Sequence, residues 1–298
     1  MSRLLFTGAS GFLGSIVRPI LEKTYDIHSI GLADKDEIKI NLAEVEPPLS
    51  LRYDVVLHAA GKAHTIPRTE AEKKVFYDVN YQGTVNLCAG LEKAGVPESF
   101  IFISTVAVYG CDVGEGIRET HPLHGTSPYA KSKIMAEEYL SEWCAKRGVI
   151  LGIMRPSLLA GQYAPGNLGA MVEGIKKGRY FNIDGGKARK SILMAEDVAR
   201  LTPLLAKHGG VYNVCDSKHP SFKELSESVA RQLNKKTPLS IPYGIAWSAA
   251  KIGDLLGARA PIDSNKLAKM TKSLTFSNEK ARRELEWEPL DVLTNYRI

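Results

Sequence analysis

Long apolar runs are missing from this chain: among its 298 residues none reaches the roughly 18 consecutive apolar positions that a bilayer-crossing helix needs. A cationic-then-apolar leader is missing too, because the sequence enters a strand pattern at once. Secretion and membrane insertion are therefore not expected, and a cytoplasmic location is. Cysteine is scarce. The four, at positions 88, 111, 144 and 215, lie far apart and form no CxxC or Cys/His ligand spacing, so they read as reduced thiols and no metal site is expected. Strong charge of one sign is also lacking: Lys and Arg total 39 against 33 Asp and Glu, a net charge of +6. The basic residues are scattered, the densest groups being residues 187–190 and Arg282/Arg283, without the aromatic-interleaved basic run that nucleic-acid binding would favour. A modest positive balance does suit a phosphate-bearing ligand. There is no internal repeat and no low-complexity tract.

What is present is an ordinary globular composition, 44% hydrophobic and 24% charged, in a chain long enough to bury a large core. Short β-rich runs (3–7, 27–32, 55–59, 100–104, 149–155) alternate with helical patterns (12–23, 75–93, 129–146). This alternation predicts parallel βαβ units, hence an α/β protein with a doubly wound parallel sheet. Between Leu32 and Tyr53 the chain is polar, holds Pro47-Pro48, and is too short for an ordinary strand and crossover helix. After Arg155 the pattern loosens. It predicts a smaller C-terminal substrate-binding lobe over 157–298, with 210–215 as a strand that could return to the main sheet. Residues 245–256 carry apolar positions at helical spacing, interrupted by Lys251 and Asp254. They read as a core-packing helix in preference to a membrane-surface one, since their polar side is thin.

Thr7-Gly8-Ala9-Ser10-Gly11-Phe12-Leu13-Gly14 follows the first strand and opens a helix. Glycines at this spacing permit a tight turn, bare main chain against a pyrophosphate, and close packing of helix on strand. The helix N-terminus adds free N–H groups and partial positive charge. Gly8, Ser10, Gly11, Phe12, Leu13 and Gly14 are accordingly the expected phosphate site of a Rossmann-type NAD(P)-binding domain over 1–156. An acid about 20 residues on would bind the adenosine ribose. Asp34 stands nearest, late and beside a lysine, and a ribose ligand and a plain turn residue are equally good readings of it. NAD and NADP both remain open.

Tyr129 and Lys133, one helical turn apart at a helix start, share a face. A phenol with a pKa near 10 is a poor base at neutral pH, and an adjacent cation is expected to favour its ionised form. Upstream, the strand 100–104 ends in Ser104-Thr105-Val106-Ala107-Val108-Tyr109-Gly110, which puts hydroxyls at a carboxyl end of the sheet.

With these segments together, TGASGFLG at 7–14, HAAG at 58–61, DVNYQGT at 78–84, STVAVYG at 104–110, YAKSK at 129–133 and RPSLLAG at 155–161, the sequence resembles the extended short-chain dehydrogenase/reductase family. These are the NAD-dependent epimerases and dehydratases of nucleotide sugars, and the likeness covers nearly the whole chain. It implies that Thr105, with Ser104 beside it, hydrogen-bonds the reacting sugar oxygen, that Tyr129 is the general acid or base, and that Lys133 lowers its pKa and holds the nicotinamide ribose. It also implies a cofactor lining of Ala59, Ala60, Gly61, Asn80, Ser104 and Pro156, with Asn41 and Leu42 near the adenine. His64, Asn167 and Arg189 would meet a nucleotide-diphosphate sugar. Family members are commonly homodimers through the helices near 75–93 and 129–146.

The family's dehydratases carry an Asp-Glu pair directly after the threonine, where this chain has Val106-Ala107, so dehydration is not expected. Many 4-epimerases carry an asparagine where this chain has Leu158. In that respect, and in its HAAGKAH and KMTKSLTFSNEKARRELEWEP strings, the chain looks more like the 4-keto reductases of surface-polysaccharide biosynthesis. A 4-keto reductase is the first expectation and a UDP-glucose/galactose-type 4-epimerase the second. A non-catalytic dinucleotide-sensing protein is a remote third, because such relatives typically lose the tyrosine.

Overall fold

Side chains of the first strand alternate between two separate cores. Leu4 and Phe6 join Val17 and Leu21 of the following helix and Val198, Leu201 and Leu205 of a later one. Leu5 joins Leu87, Leu91, Leu140 and Trp143 on the other face. A strand buried on both faces, with period-two alternation between them, is the signature of a parallel sheet covered by helices on each side. The computed structural model describes residues 1–63, 65–256 and 262–298.

In chain order the first half holds β1 (Ser2–Thr7), α1 (Phe12–Leu21), β2 (Tyr25–Gly31), β3 (Ile38–Lys39), β4 (Val55–His58), α2 (Glu70–Tyr77), α3 (Gly83–Ala94), β5 (Ser99–Ile103), β6 (Gly114–Ile117), α4 (Pro128–Arg147) and β7 (Ile150–Pro156). There follow β8 (Leu158–Ala160), α5 (Gly166–Lys176), β9 (Asn182–Ile183), β10 (Ile192–Met194), α6 (Ala195–His208), β11 (Gly210–Val214) and α7 (Phe222–Gln232). The remaining elements are β12 (Ser240–Ile241), α8 (Tyr243–Leu256), α9 (Ser264–Thr271), β13 (Leu274–Phe276), α10 (Glu279–Leu285) and α11 (Val292–Asn295).

Seven strands pair in the order β11-β7-β5-β4-β1-β2-β3, all in parallel. From β1 the chain winds outward to β2 and β3, then crosses back to β4 and winds the other way. The crevice at the carboxyl ends of β1 and β4 is thus the topological switch point, where doubly wound sheets bind ligands. The polar stretch between residues 32 and 53 is indeed abbreviated: β3 has two residues, and no helix separates it from β4. The later strand β11 pairs with β7, Gly210 opposite Gly152, so the chain returns to the main sheet after its first excursion beyond β7.

The reading of residues 245–256 needs correction. The helix forms, but only its small residues Ala246, Ala250 and Gly253 are buried, against Ile183 and Leu267. Ile245, Ile252, Leu255 and Leu256 are exposed. Small side chains let α8 approach its neighbours closely, and this turns the large ones outward.

Candidate active site

The loop between β1 and α1 is shaped by main chain. A Cβ on Gly8, whose φ is +75°, would come within 2.7 Å of the Ala60 amide nitrogen, and one on Gly14 within 2.4 Å of the Gly8 and Ala9 carbonyl oxygens. Any side chain at either place would push apart the turn, the β4 loop or the helix. Gly11 is the N-cap of α1 and supplies no side-chain acceptor, so the first-turn amides of Phe12, Leu13 and Gly14 face the crevice mouth as donors for an anion.

The carboxylate that meets this loop is Asp36, which the sequence reading missed. Asp34 projects into solvent, its side chain 95% exposed and paired with Lys39. Asp36 is 6% exposed; its Oδ2 accepts from the Ser10 hydroxyl and from the Ala33 amide, both at 3.0 Å. Its Oδ1 is buried without a hydrogen-bond partner. A Cβ on Gly31, the last residue of β2, would lie 2.4 Å from Asp36 Oδ2. The glycine at the strand end therefore makes room for a carboxylate that folds back from the loop beyond. A buried, half-satisfied carboxylate is costly unless something donates to it, and ribose hydroxyls are donors of the right kind. Asn41 stays local, donating to Glu44 at 2.7 Å and accepting from the Ala43 amide. Leu42 is buried, its carbonyl held by Asn86.

A buried polar chain ties the β4 loop to the rest of the crevice. Thr7 Oγ1 accepts from the Ala60 amide at 3.0 Å and lies 2.6 Å from His58 Nδ1. His58 Nε2 lies 2.9 Å from Thr84 Oγ1, which donates to the Asn80 carbonyl. This pattern closes with a neutral ring protonated on Nε2. Burial, helped by the Lys133 charge, holds the His58 pKa down at about 3. Asn80, fully buried, exchanges hydrogen bonds with the Lys62 main chain and donates to Ser132. It thereby fixes the segment just after Ala59-Ala60-Gly61. Pro156 is buried at the end of β7.

Thr105, Tyr129 and Lys133 converge at the carboxyl end of β5. The strand is wholly buried, and Thr105 caps the short 3-10 turn that follows, accepting from the Ala107 amide at 3.1 Å. Helix α4 starts with Ser127 accepting from the Ala130 amide and Pro128 in the first turn, a sharply defined start that places Tyr129 at its second residue. Burial raises the phenol above its usual range, and only a hydrogen bond from Thr105 works against this. The lowering of the phenol's pKa expected from Lys133 does not appear, and the phenol stays protonated. Lys133 Nζ donates to the Ile103 carbonyl at 2.9 Å, stands over the Phe102 ring, and would be 3.2 Å from a Cβ on Gly61. Burial brings the ammonium down to about 8, partly offset by Glu137. The crevice thus has a protonated phenol one helical turn from a lysine that is charged below about pH 8.

Ser104 turns away from this group, against expectation. Its hydroxyl donates to Glu137, which also accepts from Arg155 Nε at 3.1 Å and Nη2 at 2.6 Å. Arg155 Nη1 donates to the Tyr109 hydroxyl, which donates to Asn213 on β11. With side-chain exposures of 7% and 5% for Arg155 and Glu137, this is a buried ion pair braced by hydrogen bonds. It joins α4, β7 and β11 directly behind the catalytic candidates.

Of the residues expected to meet substrate, Asn167 is exposed in the first turn of α5. Arg189 donates to the His219 carbonyl at 2.9 Å and lines a cavity of about 310 Å³ with Lys187, Ser221, Lys223 and Glu224. His64 lies outside the described residues.

The NAD dependent epimerase/dehydratase family model matches residues 4–215. The chain belongs to this family. It is therefore an NAD(P)-dependent enzyme of the extended short-chain dehydrogenase/reductase type. The chain is 30% identical, over 93% of its length and 88% of the relative's, to an N-acetyl-alpha-D-glucosaminyl-diphospho-ditrans,octacis-undecaprenol 4-epimerase of Escherichia coli O157:H7. It is 28% identical to the GDP-6-deoxy-D-mannose reductase of Pseudomonas aeruginosa, covering 76% of this chain and 79% of that one. A UDP-glucose 4-epimerase from Thermotoga maritima, solved with UDP-glucose, shares the fold at a TM-score of 0.74 and 21% identity, over 98% of this chain and 95% of that one. The family members among these relatives are epimerases and reductases of sugars carried on a diphosphate. The cradle of Gly8 and Gly14, and the unpaired oxygen of Asp36, fit the family's dinucleotide.

Proposed function

We propose that this enzyme reduces a 4-keto group on a hexose carried by a nucleotide diphosphate, residues 1–156 holding the cofactor and 157–298 mainly the substrate. The observation that supports this reading is the facing of the Thr105 hydroxyl and a protonated Tyr129 phenol at the end of β5. When bound, NAD(P)H supplies a hydride to C4. Tyr129 donates its proton to O4, Thr105 hydrogen-bonds the same oxygen, and the Lys133 cation favours the phenolate left behind. Asn80 and Lys133 secure the crevice floor, and Asn167 and Arg189 address the diphosphate and its nucleotide. Leu158, at a place where many 4-epimerases carry asparagine, packs into the apolar cluster with Phe12 and Met171 and offers a sugar no hydrogen bond. A C4 epimerisation is the second reading, favoured by the Escherichia coli relative that spans most of the chain.

The deciding assay supplies NADH or NADPH with a UDP-4-keto-6-deoxy-N-acetylhexosamine, and separately UDP-glucose and UDP-N-acetylglucosamine without reduced cofactor. Stoichiometric loss of reduced nicotinamide with a C4 alcohol formed is the expected result. Conversion of the second pair to C4 epimers without net consumption would replace the reductase reading by the epimerase one.

Asp36 further supports NAD over NADP. Its buried carboxylate can accept from a ribose 2′-hydroxyl, whereas a 2′-phosphate would meet like charge. Replacement of Asp36 by Ala is expected to weaken NADH and strengthen NADPH, changing their affinity ratio about tenfold or more in titration calorimetry. Tighter binding of NADPH than NADH by the unaltered protein would transfer the role to the neighbouring Lys35 and sink this assignment.

A further inference from the structure

Helix α8 presents its large apolar side chains to solvent and its small ones to the protein. At 100° per residue, Ala246, Ala250 and Gly253 form one stripe, Leu255 falls opposite it, and Ile245, Ile252 and Leu256 lie down one flank. Their exposures run from 59% for Ile252 to 88% for Leu255. Tyr243 and Trp247, about half exposed, lie one turn apart on the other flank, with Lys251 5.9 Å from the Trp247 ring and paired with Asp254. The neighbouring α9 and the residue after it add exposed Lys266, Lys269 and Lys272. By sequence, residues 243–272 contain five basic and two acidic side chains, and so hold three of the chain's six net positive charges in a tenth of its length.

We infer that α8 docks on the surface of an anionic lipid bilayer. An outward ridge of Leu255 and Ile252, with Ile245 and Leu256 down one flank and Lys251 and Trp247 down the other, matches the layering of an interface: acyl boundary, headgroup, anionic surface. A second copy of the chain is the less favoured occupant on grounds of area. A 14-residue helix is about 21 Å long and about 10 Å wide, so its outer face offers on the order of 200 Å², against the roughly 800 Å² per partner of a stable protein interface. A bilayer needs no such shape-matched area and gains from every lysine near its surface. Attachment is peripheral, since among the described residues no helix is long and apolar enough to cross a membrane.

The test is flotation of the full-length protein with vesicles of phosphatidylcholine and phosphatidylglycerol, and with phosphatidylcholine alone. Of the three tryptophans, Trp143 and Trp287 are buried, so a blue shift of emission on adding vesicles reports Trp247. Co-flotation with the anionic vesicles, weakened by salt, is expected. The pair of substitutions Ile252→Ser and Leu255→Ser should lower partitioning about tenfold or more while leaving circular dichroism and turnover of a soluble nucleotide sugar unchanged. Absence of the unaltered protein from the anionic vesicle fraction overturns the inference. So does a self-associated species in sedimentation velocity that Leu255→Ser takes apart, which would make this face a subunit contact. Neither result bears on the reduction assay, so failure here and failure of the proposed reaction are distinguishable.

Discussion

Replacing Tyr129 by Phe is expected to lower turnover by about two to four orders of magnitude, the usual contribution of a positioned proton donor, while cofactor affinity changes little. The ring is kept, so its edge contact with Phe76 and the start of α4 persist, and only the hydroxyl facing Thr105 is lost. Single-turnover kinetics together with calorimetric cofactor titration separate the two quantities. Substantial retained turnover would remove Tyr129 from the chemistry. The pH profile supplies a second reading of the same group. Tyr129 stays protonated at neutral pH because burial raises it, whereas Lys133 loses its charge as pH climbs through about 8. Reductive turnover should therefore be steady below that value and decline above it, as the cation that supports the departing proton disappears. A rise in reductive rate across the same window would contradict the assigned direction of proton transfer.

Removal of Glu137 is expected to have the largest effect on stability. Glu137→Leu leaves Arg155 charged and buried with only Tyr109 for company and strips the Ser104 hydroxyl of its acceptor. Breaking a buried pair in this way costs about 3–5 kcal/mol, a large share of the marginal stability of a folded domain. Urea unfolding should show a lower midpoint with an unchanged slope, and Glu137→Gln, which keeps the shape and part of the hydrogen bonding, should lose less. There is a kinetic signature as well. Glu137 is the group that raises the Lys133 pKa against burial, so in any folded Glu137 variant the alkaline decline in turnover should move to lower pH. A loss of stability without that movement would mean that Glu137 braces the fold but does not act on Lys133.

Much of this protein was legible in its residues because local patterns carried it. The strand–glycine–helix opening, the alternation of β-rich and helical runs, and the Tyr129/Lys133 spacing are short-range features, governed by backbone sterics, helix periodicity and capping. They determined the doubly wound sheet, the glycine turn that opens α1 and the three residues that meet at the end of β5. The tertiary structure decided what depends on contacts between distant segments. It chose Asp36 over Asp34, because a loop conformation, with room made by Gly31, decides which carboxylate folds back. It turned Ser104 toward Glu137, because a buried arginine 51 residues downstream needs that carboxylate braced. It kept Tyr129 protonated, because burial is a property of the assembled crevice and only the Thr105 hydrogen bond opposes it. It left the aliphatic side of α8 in solvent, because hydrophobic periodicity shows that a helix has an apolar face but not which neighbour, if any, that face will meet.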